Sequence, residues 1–157
     1  IIEDLSHHTG KTITGNEPGA GIMEAAENAL KDYSNLSGWN LTKASTGAMT
    51  TTLEKAIANQ EEIIVTGWSP HWMFSKYDLK YLDDPKGSFG ATENIHTIAR
   101  KGLQKDMPKL YKIINQFSWT SEDMESVLLD MNEGMSAEEA ARKWIEANQE
   151  TIEKWLE

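Results

Sequence analysis

The stretch Val65 to Phe74, VTGWSPHWMF, places two tryptophans, a histidine and a proline directly behind an apolar run. The chemistry such residues offer is recognition by ring faces. A stiffly held indole attracts a cation through its quadrupole, and quaternary ammonium groups, which have no N–H to donate, are the ligands best served by it. A second group of residues favours the opposite charge. In EPGAGIM, Glu17 to Met23, Gly19 and Gly21 allow close backbone approach, and a helix starting there leaves first-turn N–H groups open to a carboxylate or phosphate. A third loop, Ser45-Thr46-Gly47, offers hydroxyl and backbone donors that suit a helix cap or a ligand. Trp68 beside the helix start in EPGAGIM suggests a receptor for a zwitterion. Thr46 and His71 are secondary candidates, and core packing of Trp68 or a plain tight turn at the glycines is the competing reading.

Several chemistries are disfavoured by what is missing. Glu24 stands where a dinucleotide fingerprint requires a third Gly or Ala, and no Gly-Lys-Ser/Thr follows. An enzyme would need a nucleophile beside a base, or paired carboxylates. Only Glu17 and His71 lie where they could serve, so a small α/β enzyme using them is the alternative reading. His7 and His8 are adjacent and lack accompanying carboxylates at metal-ligand spacing, so no metal or other cofactor is expected. A net charge of −10 disfavours nucleic acid and direct adsorption on anionic lipid. With no cysteine, thiolate and disulfide chemistry are excluded. The apolar runs are far shorter than the roughly 20 residues of a membrane-spanning helix.

These loops need a scaffold, and the 157 residues, 39% hydrophobic, suffice for one domain with a real core. Lys11 to Gly15 alternates as a strand does. Ile22, Ala26, Ala29, Leu30 and Tyr33 then recur at helical spacing. Trp39 to Ala44 reads as a second strand, and Met49, Leu53, Ala56 and Ile57 mark a helix ending near Asn59. Glu61 to Thr66 reads as a strand buried on both faces. A β-α-β-α-β order favours parallel strands, whose following loops all emerge at one sheet edge, where ligands of open α/β sheets bind. Trp72 and Phe74 are expected on a short helix packed against the sheet.

Beyond these, Asp78 to Gly90 is a turn-rich connection and Asn94 to Ala99 is expected to be a strand. Three helical faces follow: Leu110, Ile113, Ile114 and Phe117 behind Pro108; Met124, Val127, Leu128 and Met131 behind a Thr120 cap; and Ala140 to Trp155 behind a Ser136–Glu139 capping box. The expected organisation is residues 1–10 as the end of a helix entered part-way, 11–90 as an α/β ligand-binding lobe, and 91–157 as a crossover strand with C-terminal helices.

GNEPGAGIMEAAENALKDY, VTGWSPHWMFSKYDLKYLDDP, ENIHTIARKGL and WTSEDMESVLLDM resemble the glycine betaine and proline betaine binding proteins of ABC importers. The resemblance implies an α/β, type II periplasmic-binding-protein-like lobe, forming part of a two-lobed receptor that closes over its ligand without catalysis. It implies that Gly21 and Ile22 give N–H groups to the ligand carboxylate and that Trp68 is one wall of a tryptophan cage. The remaining cage walls and a carboxylate-binding histidine come from the opposite lobe in that family, so Trp72, Trp119 and His71 do not inherit those roles. The implied partners are glycine betaine or proline betaine and an ABC importer permease. The implied location is the extracellular face of the cytoplasmic membrane or the periplasm, tethered by a lipid anchor or by fusion to the permease.

Overall fold

The computed structural model describes residues 1–8 and 10–157. The chain forms two compact units, residues 1–68 with 80–92, and residues 69–79 with 93–157.

In the first unit, strand β1 (Thr12–Thr14) pairs in parallel with β2 (Asn40–Thr42), with Ile13 opposite Leu41. On its other side Thr14 forms a parallel bridge to Val65: its N–H donates to the Ile64 carbonyl (2.8 Å), and its carbonyl accepts from Thr66 N–H (3.0 Å). The strand expected at 61–66 is thus one bridge long. Ile63, Ile64 and Val65 are only half-buried, which corrects the expectation of burial on both faces. β1 lies between two neighbours, whereas the 64–66 segment has a strand partner on one side only among the described residues, and a buried strand needs cover on every side.

Helix α1 (Gly21–Asp32) follows β1 and α2 (Thr46–Ala58) follows β2. Met23, Ala26 and Ala29 of α1 are buried at helical spacing. Ala29 joins Ile2, Ile13, Tyr33, Leu36 and Trp39 in the core, and Leu30, Leu41, Ile64 and Leu82 pack around it. Residues Ile2–His7 form a 3-10 helix, in place of the α-helix end expected over 1–10. The turn-rich connection is anchored to this unit through a buried tyrosine. Tyr33 Oη donates to Asp84 Oδ1 (2.5 Å) and accepts from Lys86 N–H (2.9 Å), while Phe89 N–H donates to Asp84 Oδ2 (2.7 Å). Burial alone would raise the Asp84 pKa. The hydrogen bonds from Phe89 and Tyr33 outweigh it and hold the carboxyl below its ordinary range.

The second unit is helical: α3 (Trp72–Lys76), α4 (Leu103–Asp106), α5 (Pro108–Gln116), α6 (Ser121–Asn132), α7 (Ala137–Ala147) and α8 (Gln149–Leu156). α3 packs on α6. This short helix buries Met73 completely, and Trp72 and Phe74 are half-buried. The expected Thr120 cap forms, and Asp123 makes it a capping box; the expected Ser136–Glu139 box also forms. The helix expected to run from Ala140 to Trp155 breaks at Asn148 into α7 and α8. On α6, Met131 is exposed, while Val127 and, unexpectedly, Glu125 are buried. Residues 94–99 form no strand: the segment pairs with nothing among the described residues, and Ile95 and Ile98 are 76% and 92% exposed. No helix among the described residues is long and apolar enough to cross a membrane.

The Tyr33–Asp84 bond sets a testable expectation. Tyr33→Phe keeps the ring but leaves the Lys86 N–H and one Asp84 oxygen without that partner, so it should lower stability by about 1–3 kcal/mol. Urea unfolding monitored by circular dichroism checks this, and an unchanged midpoint would refute the anchoring role.

Candidate functional site

The parallel pairing carries the loops after β1, β2 and residues 64–66 to one edge of the sheet. At the first loop, Gly15 has no room for a side chain: a Cβ there would lie 2.4 Å from the Thr42 carbonyl and 2.6 Å from Met23 Sδ. Asn16 is 3% exposed. Its N–H donates to Met23 Sδ (3.2 Å), its carbonyl accepts from Ala44 N–H (3.1 Å), and its Oδ1 accepts from Thr66 Oγ1 (3.5 Å). One buried residue, through its backbone and its side chain, therefore ties the roots of all three loops together. Asn16 and Thr66 were not singled out in the sequence. The available signal was a polar residue at the end of each apolar strand, too common to be distinctive.

Glu17 to Ala20 makes a turn closed by Ala20 N–H donating to the Glu17 carbonyl (3.1 Å), with Gly19 at φ +88°. Proline second and a positive-φ glycine third are what a type II turn requires. The turn delivers the chain into α1 with Ala20 at the N-cap, a residue with no side-chain acceptor. Met23 and Glu24 N–H donate to the Ala20 carbonyl. No described group accepts from Gly21 or Ile22 N–H, and space in front of Gly21 is open, since a Cβ there would meet nothing within 4 Å. Two donors at the positive end of a helix are chemically suited to an anion.

The start of α2 is closed in contrast. Ser45 Oγ accepts from Ala48 N–H (3.1 Å). Glu17 takes the remaining donors of Thr46, its N–H on Oε1 (2.6 Å) and its Oγ1–H on Oε2 (2.7 Å). Those bonds hold the Glu17 carboxyl below the ordinary range for glutamate. Thr46 is thus the hydrogen-bond partner of both Glu17 oxygens. The hydroxyl and N–H of Thr46, candidates for a ligand, are engaged within the protein.

Trp68 belongs to the first unit, two residues beyond Thr66, and is half-buried. Gly67 joins it to the strand end, so its position follows from the sheet edge. His71 belongs to the second unit, where it is 8% exposed and caps α3, its Nδ1 accepting from Met73 N–H (3.2 Å). That bond assigns the proton of the neutral ring to Nε2. Burial lowers the His71 pKa, and the nearby Glu125 carboxylate offsets this only in part.

A second aromatic group lies in the helical unit. Phe117, Trp119, Trp144 and Trp155 approach one another with centroids 4.9–5.7 Å apart and, with Ile113, line a cavity of about 270 Å³. Its lining is wholly apolar. It offers rings to a cation but nothing to a carboxylate. Among the described residues no group of three or more His, Cys, Asp or Glu could hold a metal ion.

Residues 2–147 match the family model of the substrate-binding domain of ABC-type glycine betaine transport systems. The chain is 52% identical to the glycine betaine/carnitine transport binding protein of Listeria monocytogenes over 156 residues, 99% of this chain and 52% of that protein. It thus spans about half the length of the curated relative it matches. Among solved structures it is similar to a lactococcal glycine betaine-binding domain in its closed conformation complexed with glycine betaine (54% identity, TM-score 0.78, 99% of this chain and 61% of the other). It is also similar to the glycine betaine/L-proline-binding protein of Borrelia burgdorferi (30% identity, TM-score 0.70, 99% and 60%). The fold is that of type II periplasmic binding proteins.

His71 makes stability depend on pH. A base whose folded pKa is lowered binds more protons when unfolded, so its contribution is intact above the unfolded value near 6.5 and is lost as pH falls through it. The capping carboxylates act elsewhere: Asp123, Glu139 and Glu17 have lowered pKa values, so what they contribute is kept above about pH 4. Urea midpoints should therefore drop between pH 7.5 and 5.5, and drop less in His71→Gln. Equal drops in both proteins would refute the assignment.

Proposed function

The chain belongs to the family of substrate-binding domains of ABC-type glycine betaine transport systems, and from that premise we propose that it captures glycine betaine or proline betaine and hands it to an importer permease. It acts as part of a two-lobed receptor, at the extracellular face of the cytoplasmic membrane or in the periplasm, tethered there by a lipid anchor or by fusion to the permease. Residues 11–90 supply the ligand-binding lobe of this reading, and residues 91–157 complete the receptor.

The observation that carries this reading is the uncapped start of α1 at the same sheet edge as the Trp68 loop. A betaine is a carboxylate one short linker away from a quaternary ammonium. Gly21 and Ile22 N–H receive the carboxylate, and the Trp68 indole faces the methylated cation. Such a contact contributes about 0.5–2 kcal/mol per ring, most where water is excluded. The cavity of the helical unit has no counterpart to the anion receptor. Support also comes from the 54% identity to a domain whose structure holds glycine betaine.

Thr46 and His71 enter as supports: Thr46 holds Glu17, and His71 fixes the backbone just beyond the Trp68 loop by capping α3. The family is one of transport binding proteins and not of enzymes. The two residues an enzyme would have used are committed to capping bonds, both oxygens of Glu17 to Thr46 and Nδ1 of His71 to Met73.

Trp68→Ala in the full receptor should weaken glycine betaine binding at least tenfold while leaving the circular dichroism spectrum and unfolding midpoint nearly unchanged. Glycine, whose ammonium is small and well hydrated, should bind far more weakly than glycine betaine to the wild type. Calorimetric titration checks both. Equal affinity in the variant, or equal affinity for the two ligands, would sink the reading.

A further inference from the structure

The two helix starts at the sheet edge differ in one respect that chemistry can use: α2 already holds a carboxylate and α1 does not. Glu17 supplies it with both oxygens, at 2.6 Å to Thr46 N–H and 2.7 Å from Thr46 Oγ1. The same residue lies four positions before Gly21, and its carbonyl accepts the bond from Ala20 that closes the turn into α1. Backbone and side chain of one residue thus connect the two starts. We propose that Glu17 is a positioning residue for the ligand carboxylate: by clamping the β1–α1 turn onto the first turn of α2, it aims the Gly21 and Ile22 N–H groups at a single point in front of α1.

This rests on the betaine-receptor reading and deepens it. The turn has little else to hold it from outside. Gly19 and Gly21 have open space around them, Pro18 has no N–H to donate, and Ala20 has no side-chain hydrogen bond. Asn16 fixes the root of the loop, but Glu17 is its one bidentate, charge-assisted bond to a neighbouring element among the described residues. A receptor built from two backbone N–H groups depends on their aim, because a donor displaced by about 1 Å loses most of its bond. The bonds from Thr46 lower the Glu17 pKa, so the carboxylate form that makes the clamp is the one present in the neutral range. Glu17 also fills the start of α2 with negative charge. A single external carboxylate therefore finds one open receptor, and a ligand with a second carboxylate finds the neighbouring one occupied.

The test uses Glu17→Gln, which keeps length and one acceptor but loses charge and the second acceptor, and Thr46→Val, which removes only the hydroxyl. Both are made in the full-length receptor. Glycine betaine affinity is measured by calorimetry, and the Gly21 and Ile22 amide proton shifts are followed by NMR at saturating ligand. The expected result is about a tenfold loss of affinity in Glu17→Gln, a smaller loss in Thr46→Val, and a double variant no weaker than Glu17→Gln alone, as for groups acting as one unit. The ligand-induced shifts of the two amides should shrink, while quenching of the Trp68 indole at saturation persists. A Glu17→Gln affinity within twofold of wild type overturns the proposal. Weaker binding with undiminished amide shifts also overturns it, because a merely structural defect changes occupancy and not the bond. If the wild-type receptor itself does not bind glycine betaine, the betaine reading falls, and this proposal with it. That outcome is distinct from a wild type that binds and a variant that binds equally.

Discussion

The sheet edge of the first unit depends on the two-sided pairing of Thr14. Its N–H and carbonyl bond to Ile64 and Thr66, and on the other side its strand pairs with β2, with Gly15 N–H continuing onto the Thr42 carbonyl. Because both pairings are parallel, three successive loops leave the sheet at the same end. The sheet is small, with two three-residue strands and a bridge, and such short ladders are marginal without packing. The covering helices and the buried polar contact from Asn16 to Thr66 supply what the ladder lacks. Gly15 shows how close that packing is, since even a methyl group would collide with the Thr42 carbonyl.

The helix starts of the two units differ in their caps. α2, α3, α6 and α7 each have a side-chain acceptor at the N-cap. α1 begins with Ala20 and has none. Leaving first-turn N–H groups unpaired costs little while water reaches them, and Gly21 is exposed. The same donors become useful when a carboxylate displaces that water, with the helix dipole adding to the attraction. Glu17 shows the same chemistry satisfied internally, one helix away.

The aromatic residues divide by the same logic. In the helical unit Trp144 stacks on Trp155 and meets Trp119 edge-on, and Trp144 Nε1 donates to Asp123 (3.2 Å), the carboxylate that also closes the capping box with Thr120. Those rings stabilise helix packing, each contact adding about 0.5–1.5 kcal/mol beyond the area it buries. Trp68 follows directly from a strand end at the loop edge. A ring's chemistry is set by what faces it, and the helical cavity has no charged or polar lining.

Residue order alone determined the succession of elements in the first unit and the capping boxes of the second, because these rest on local spacing: 3.6-residue periodicity, Pro-Gly turns, and Ser or Thr three residues before an acid. Trp68 stood out because it lies two residues beyond a predicted strand end, and the start of α1 because a Gly-rich turn leads into a helical pattern there; the Gly21–Ile22 step itself came from the family resemblance. Tertiary structure decided what depends on distant partners. Glu17 found Thr46 across 29 positions and Tyr33 found Asp84 across 51. His71 was turned from a donor candidate into a buried cap whose pKa is set by surroundings that no local pattern encodes. The absence of a strand at 94–99 has the same origin, since a β-branched, apolar stretch becomes a strand only when another backbone lies alongside to pair with it.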